Sequence, residues 1–267
     1  MKTRIISACI MLPLLILVYL GGYFLMMACA AVSVIAIGEF YRGFEATGTR
    51  PAYKLAYASV VLLYAIEILA AGNAYLIMLW VVLMVMGSMV YGFKVNERKL
   101  EDMTATLLGI LYCVFFPFHI MLIDTSAYSI LVWLVFLAAF GTDIMAYFVG
   151  MAIGKHKLCP TLSPKKSKEG AVGGVLGSVL FCGIFAWICV PDMIGEAMFI
   201  AVAGSIVAQL GDLSASAFKR QMGIKDYGNL IPGHGGILDR FDSVFFTAPM
   251  IYYCILLVNV AGEAAPI

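Results

Sequence analysis

The chain has 267 residues, of which 63% are hydrophobic and 12% are charged, and its formal net charge at pH 7 is +1. A mean hydropathy of +0.99 excludes an ordinary water-soluble domain. Lipid permits little except helix for apolar spans of this length, so we expect an all-α, polytopic integral membrane protein. We expect membrane lipids as partners and no nucleic acid.

Uncharged apolar runs predict nine transmembrane helices. The first two share residues 5–38, which carry no charge, with Gly21-Gly22 as the expected turn between them. A signal peptide is the alternative for this region, although its apolar stretch is far longer than a signal peptide usually has. The nine predicted spans are roughly 5–20, 22–38, 55–71, 74–93, 104–123, 127–150, 172–190, 197–211 and 243–261.

The basic residues indicate an orientation, because Lys and Arg accumulate on the cytoplasmic side of membrane proteins. If the N-terminus is cytoplasmic, nine spans place all 17 Lys and Arg residues in inner segments. We therefore expect a multi-pass protein of the cell membrane whose N-terminus and active-site loops are cytoplasmic. A basic inner face attracts anionic lipid headgroups and nucleotides.

Polar residues are concentrated in the second half of the chain. Residues 1–103 are predicted to be transmembrane scaffold, and residues 104–267 a catalytic transmembrane region. That region contains two inner polar segments, 151–171 and 212–242. The eighth span is predicted to be short and to end at Gly211, and short or broken spans often border a site in or near the membrane.

Three carboxylates are candidate metal ligands. Asp239 and Asp242 are three residues apart and share a face if their segment is helical, and Asp212 follows the eighth span. If that span continues as a helix, Ser216 and Lys219 lie on one stripe with Asp212. Converging carboxylates suit Mg²⁺, which also binds phosphate oxygens. The alternative is ordinary ion pairing with nearby basic residues.

Other polar residues suit phosphate. Gly233-His234-Gly235-Gly236 combines close backbone approach with a histidine that can face phosphate, unless it is a flexible turn at the surface. Ser163-Pro164-Lys165-Lys166 sets a hydroxyl beside two ammonium groups, although a positively charged membrane anchor has the same composition. Asp143 lies within the sixth span, where a carboxylate is a functional candidate unless it is solvated or pairs helices.

The run from Ser216 to Asp242 resembles the signature of the phosphatidate cytidylyltransferases, also called CDP-diacylglycerol synthases. Its matching positions are Ser216, Phe218, Lys219, Arg220, Lys225, Asp226, Gly228, Pro232, His234, Gly235, Gly236, Asp239, Arg240 and Asp242. Three other stretches also resemble parts of this family's pattern, and they occur in the same order. They are Asp143-x-x-Ala146-Tyr147, Ser163-Pro164-Lys165-Lys166 with Glu169-Gly170, and Gly211-Asp212. One departure is Lys168, which stands where the family usually has an apolar residue.

The resemblance implies that CTP and phosphatidic acid react to give CDP-diacylglycerol and pyrophosphate, in phospholipid biosynthesis. It implies Mg²⁺ bound by Asp212, Asp239 and Asp242, with a second cation such as K⁺ as an open alternative. The implied catalytic residues are Asp143, Lys219, Arg220, His234 and Asp239. The implied substrate-binding residues are Ser163, Lys165, Lys166, Ser216, Lys219, Arg220, Lys225, Asp226 and Arg240. Because a phosphate monoester is already ionised near neutral pH, His234 is expected to position phosphate and not to act as an obligate base.

Two other functions stay open at this point. A CDP-alcohol phosphotransferase would use the product of this reaction, but its four-aspartate pattern is not found in the sequence. A transporter usually carries its site at mid-membrane between repeats, whereas the charges here lie at the predicted inner edge. A homodimer is an open alternative for the assembly. Replacing Asp239 or Asp242 by Ala is expected to abolish turnover and to leave the fold intact.

Overall fold

The computed structural model describes residues 15–230 and 235–263, without the side chains of residues 260–263. It confirms an all-α polytopic membrane protein, because eight helices in the described part are long and apolar enough to cross a membrane. These helices correspond to the second to ninth predicted spans. The first predicted span, 5–20, lies mostly outside the described residues, and residues 15–20 are helical. The eight membrane-crossing segments are Gly22–Glu45, Tyr53–Ala70, Ala74–Tyr91, Leu100–Asp124, Ser129–Ile153, Lys168–Cys189, Pro191–Gln221 and Leu238–Asn259.

The helices and strands are numbered here in chain order. The first half contains α1 (Gly22–Glu45), α2 (Tyr53–Ala70), α3 (Ala74–Tyr91), α4 (Leu100–Ile110) and α5 (Phe116–Asp124), with a π-helical turn at Leu111–Phe115. The second half contains α6 (Val132–Ile153), β1 (Lys157–Cys159), β2 (Ser163–Ser167), α7 (Lys168–Cys189), α8 (Ile194–Gln221) and α9 (Leu238–Glu263).

The chain divides into two compact units. The first consists of Met1–Thr125 and Lys219–Phe241, and the second of Ser126–Phe218 and Asp242–Ile267. The division predicted at residue 103 separates a scaffold from a catalytic region by function. The two compact units do not test it, so it stays a prediction.

The predicted turn at Gly21-Gly22 is present in the first unit. Both residues have positive φ angles, 60° and 50°, which glycine adopts without steric cost. The N–H of Gly22 donates to Oδ2 of Asp124 at 2.7 Å, so the start of α1 is bonded to the end of α5.

Aromatic side chains form much of the core of the first unit. The rings of Trp80 and Phe115 stack with their centroids 5.7 Å apart. The hydroxyl of Tyr41 donates to the carbonyl oxygen of Thr106 at 2.6 Å. A Cβ on Gly109 would overlap the Tyr41 ring, so α1 and α4 approach closely because this position lacks a side chain.

In the second unit, α6 and α7 pack against each other along a row of glycines. A Cβ on Gly173 or on Gly177 would overlap side chains of α6. The hydroxyl of Thr142 on α6 donates to Oγ of Ser205 on α8 at 2.6 Å, and both residues are buried. Small residues at helix contacts are typical of membrane proteins, where van der Waals packing and hydrogen bonds drive association.

Two features differ from the expectation. First, β1 and β2 pair in an antiparallel hairpin within segment 151–171, for which the sequence analysis predicted no strands. Second, α8 does not end at Gly211 but runs for 28 residues to Gln221. Lys219 and Arg220 lie in its last turn, where positive charge favours the helix C-terminus.

Candidate active site

The β-hairpin presents the predicted phosphate-binding residues of the second unit. Ser163, Lys165 and Lys166 all lie on β2, where Lys165 is exposed and the other two are half-buried. Ser167 ends the strand and starts α7, because its Oγ accepts a hydrogen bond from the N–H of Gly170 at 3.1 Å. Serine is a preferred residue at this position of a helix, since it satisfies an N–H that has no partner within the helix.

Glu169 fixes the base of the hairpin. Its Oε2 accepts the N–H of Lys155 at 3.1 Å, and its Oε1 lies 2.5 Å from Nδ1 of His156. The N–H of Lys168 donates to the carbonyl oxygen of His156 at 2.8 Å, which closes the same end. The family resemblance includes Glu169 but gives it no role, and these contacts assign it the placement of the hairpin.

Lys166 and Asp212 form an ion pair within the second unit. Their side chains are 27% and 28% exposed, so water still reaches both charges. A residue predicted to bind phosphate therefore neutralises a residue predicted to bind metal. Ser216 follows Asp212 by four residues on α8 and is half-buried.

Ser243 connects two of the predicted carboxylates. Its Oγ donates to Oδ2 of Asp143 at 3.1 Å, and its N–H donates to Oδ1 of Asp242 at 2.8 Å. Asp242 is buried, whereas Asp143 is exposed at the side of α6. A Cβ on Gly211 would lie 2.8 Å from the carbonyl oxygen of Asp242, so α8 contacts α9 immediately before Asp212. Within the second unit, Ser243 thus joins Asp143 and Asp242, and Asp212 directly follows the contact between α8 and α9. Nothing in the sequence pointed to Ser243.

The carboxylate of Asp239 connects several residues of the polar segment Lys219–Phe241 in the first unit. Its Oδ1 accepts a hydrogen bond from Nζ of Lys219 at 2.7 Å. Its Oδ2 accepts the N–H groups of Tyr227 and Gly236 at 2.8 and 2.9 Å. The side chains of Asp239 and Lys219 are only 2% and 15% exposed, so this pair is far more enclosed than Lys166 and Asp212. The expectation that Asp239→Ala leaves the fold intact does not fit these contacts.

The remaining predicted site residues are more peripheral or lie outside the described part. Arg220, Lys225 and Asp226 are exposed, and Arg240 is half-buried. His234 lies outside the described residues. Asp226 borders a cavity of about 510 Å³ in the first unit. The other residues that line this cavity are Ile35, Glu39, Arg42, Gly43, Ile224, Tyr227, Gly228, Asn229 and Leu230.

Glu39 is a residue that the sequence analysis missed. It lies on α1 and is 1% exposed, yet its carboxylate contacts the start of α9. Oε1 accepts the N–H of Ile237 at 3.1 Å, and Oε2 accepts the N–H of Leu238 at 2.9 Å. A single acid directly after the predicted span 22–38 gave no signal, because such residues are common at membrane interfaces.

The acidic residues suit Mg²⁺ by their donor chemistry. Among residues 15–230 and 235–263, no three His, Cys, Asp or Glu side chains are grouped as metal ligands. Carboxylate oxygens are nevertheless the ligands that Mg²⁺ prefers in proteins. The ammonium groups of Lys166 and Lys219 each contact one candidate carboxylate, that of Asp212 and that of Asp239 respectively.

Comparison with known proteins supplies the family. The model of a group described as the cytidylyltransferase family matches residues 2–258. A phosphatidate cytidylyltransferase of Pseudomonas aeruginosa is 36% identical over 100% of both chains. One of Synechocystis sp. is 32% identical over 96% of both chains. One of Bacillus subtilis is 44% identical, but over only 44% of each chain. Since the family match covers nearly the whole sequence, this chain belongs to the cytidylyltransferase family.

Proposed function

We propose that this chain transfers the cytidylyl group of CTP to phosphatidic acid, giving CDP-diacylglycerol and pyrophosphate, in phospholipid biosynthesis. The observation that carries the proposal is the full-length similarity to the P. aeruginosa protein, which is named phosphatidate cytidylyltransferase. The family match favours neither a CDP-alcohol phosphotransferase nor a transporter.

The reaction requires two anions to meet. An oxygen of the lipid phosphate attacks the α-phosphorus of CTP, the bond from that phosphorus to the bridging oxygen breaks, and pyrophosphate leaves. Because both reactants are negatively charged, neutralisation of charge and alignment of the phosphates dominate the catalysis. A strong base is not needed, since the attacking phosphate is already ionised.

The two Lys–Asp pairs support a role in this neutralisation. Lys166 and Lys219 carry point charges whose present partners are the carboxylates of Asp212 and Asp239. In the proposal, both lysines turn to substrate phosphate oxygens. Asp212, Asp239 and Asp242 would hold Mg²⁺, whose charge neutralises phosphate oxygens when it is bound. A second cation such as K⁺ stays a prediction.

The other residues of the proposed site have supporting roles. The hairpin would offer Ser163 and Lys165 to phosphate beside Lys166. Asp143 would line the site, where the hydroxyl of Ser243 holds its carboxylate. His234 would contact phosphate. The remaining proposed substrate-binding residues are Ser216, Arg220, Lys225, Asp226 and Arg240.

We also propose that the protein lies in the cell membrane, with its N-terminus and site in the cytoplasm. The support is the placement of all 17 Lys and Arg residues in inner segments when nine spans are threaded from a cytoplasmic N-terminus. A homodimer stays a prediction.

The test is an assay of the purified protein in detergent micelles that contain phosphatidic acid. We expect pyrophosphate release that requires CTP, phosphatidic acid and Mg²⁺, and that stops when EDTA is added. Labelled CTP should enter the lipid fraction as CDP-diacylglycerol. Asp212→Asn should lose this activity, while Glu101→Gln, at an exposed position of α4, should retain it. Turnover of labelled CDP-lipid without use of CTP would reject the proposal, as would ion flux without CTP turnover.

A further inference from the structure

We infer that Glu39 is a positioning residue for the reaction, because its carboxylate fixes the start of α9 and thereby the place of Asp239. The inference rests on the proposed function and adds a residue from α1. Glu39 lies 198 positions before Ile237, one of its two partners, so no local motif joins them.

The contacts of Glu39 are those of a helix cap supplied by another helix. The first N–H groups of α9 have no acceptor within the helix, and Glu39 accepts those of Ile237 and Leu238 with its two oxygens. A negative charge at this end is also favoured by the helix dipole. With only 1% of Glu39 exposed, water does not replace these bonds readily.

Two glycines enclose the same carboxylate. A Cβ on Gly228 would lie 2.6 Å from Oε1 of Glu39, and one on Gly236 would overlap the carboxylate. The backbone at Gly228 and the backbone at Gly236 therefore both pack against the Glu39 carboxylate. This shared contact sets the distance between the two backbone segments. Substituting either glycine would push Glu39 away from α9.

The two backbone segments that pack against Glu39 also donate hydrogen bonds to Asp239. Oδ2 of Asp239 accepts the N–H groups of Tyr227, which precedes Gly228, and of Gly236. A shift of Gly236 away from Glu39 would move one of these donors and change where Asp239 points. Glu39 thus acts through Asp239 and does not itself contact substrate.

Glu39→Gln tests the inference, since it keeps the size of the side chain and replaces one acceptor oxygen by a donor. Per folded molecule, we expect kcat to fall about 10- to 100-fold, because a misplacement near 1 Å can cost that much. We also expect the half-saturating Mg²⁺ concentration to rise, and the binding of Mn²⁺ alone, followed by electron paramagnetic resonance, to weaken by a similar factor. Glu101→Gln is the matched control and should behave as the wild type.

A purely structural role predicts a different result. The folded yield of Glu39→Gln would drop, while the folded fraction would keep the wild-type metal dependence, and that outcome would overturn the inference. Gly228→Ala provides an independent variant if Glu39→Gln does not fold. It should weaken Mn²⁺ binding in the same way, and wild-type binding in Gly228→Ala would count against the inference.

The controls separate this inference from the proposed function. A wild-type protein that makes no CDP-diacylglycerol would defeat the proposed function. The Mn²⁺ comparison between wild type, Glu39→Gln and Glu101→Gln needs no turnover, so it still decides whether Glu39 positions Asp239.

Discussion

Asp239 and Asp212 are the two candidate metal ligands that form ion pairs with lysine. Removing one or the other should have very different effects on the stability of the folded protein. Asp239→Ala should destabilise the folded protein, whereas Asp212→Ala should leave its stability almost unchanged. Both variants should lose turnover if the proposed function holds. The comparison separates what a carboxylate does for the fold from what it does for the reaction.

The magnitudes follow from the contacts. Asp239 accepts three hydrogen bonds with a side chain that is 2% exposed, and its loss leaves Lys219 without its carboxylate partner. Hydrogen bonds to charged groups contribute about 1.5–3 kcal/mol each, but bonds in one network do not add, so about 3–5 kcal/mol is a realistic total. Asp212 and Lys166 are 28% and 27% exposed, and ion pairs open to water contribute about 0–1 kcal/mol.

The assay is equilibrium unfolding in mixed detergent micelles with increasing SDS, followed by circular dichroism. The expected gap between the variants is about 3 kcal/mol, which corresponds to about a 100-fold difference in the folding equilibrium. Glu101→Ala is the control for removing an acid from an exposed position. If Asp239→Ala and Asp212→Ala unfold within about 1 kcal/mol of each other, the structural role argued for Asp239 is wrong.

Three further variants test other contacts. Ser167→Ala should lower stability by about 1 kcal/mol in the same unfolding assay, since it removes the cap of α7, and an unchanged midpoint would contradict that cap. Ser243→Ala should lower the rate of pyrophosphate release without loss of folded protein, because Asp143 loses a hydrogen bond that holds it. A wild-type rate would show that this bond is not needed. Lys166→Met should raise the KM for CTP and strengthen the binding of Mn²⁺ alone, since it leaves Asp212 without its cation. Weaker Mn²⁺ binding in that variant would argue against exchange of partners at this pair.

Hydropathy predicted the second to ninth spans well, because burial in lipid demands long apolar helices whatever their packing. The turn at Gly21-Gly22 was also predictable, since positive φ angles at both residues need glycine. The end of α8 was not, because Asp212 interrupts the apolar run, whereas the helix itself continues to Gln221 and Asp212 pairs with Lys166. A charge pattern along one segment does not reveal a partner on another.

The hairpin and the Glu39 contact were missed for related reasons. β2 has the sequence Ser-Pro-Lys-Lys-Ser, which has low strand propensity, and it is held instead by backbone pairing and by the contacts of Glu169 at its base. Glu39 has partners that are backbone N–H groups at the start of α9, and these leave no trace in side-chain composition. The sequence led to a set of proposed site residues, but it did not point to Glu39 or Ser243, which hydrogen-bond to groups beside them.

The glycine contact between α6 and α7 has a consequence for how the protein is made. These two helices are neighbours in the chain, separated by only the β-hairpin and its flanking residues, so their contact requires closure of a short loop. As the nascent chain enters the bilayer, they can associate as a helical hairpin while α9 is still being synthesised. Asp242, which lies on α9, is then added to a second unit in which α6 and α7 can already be paired.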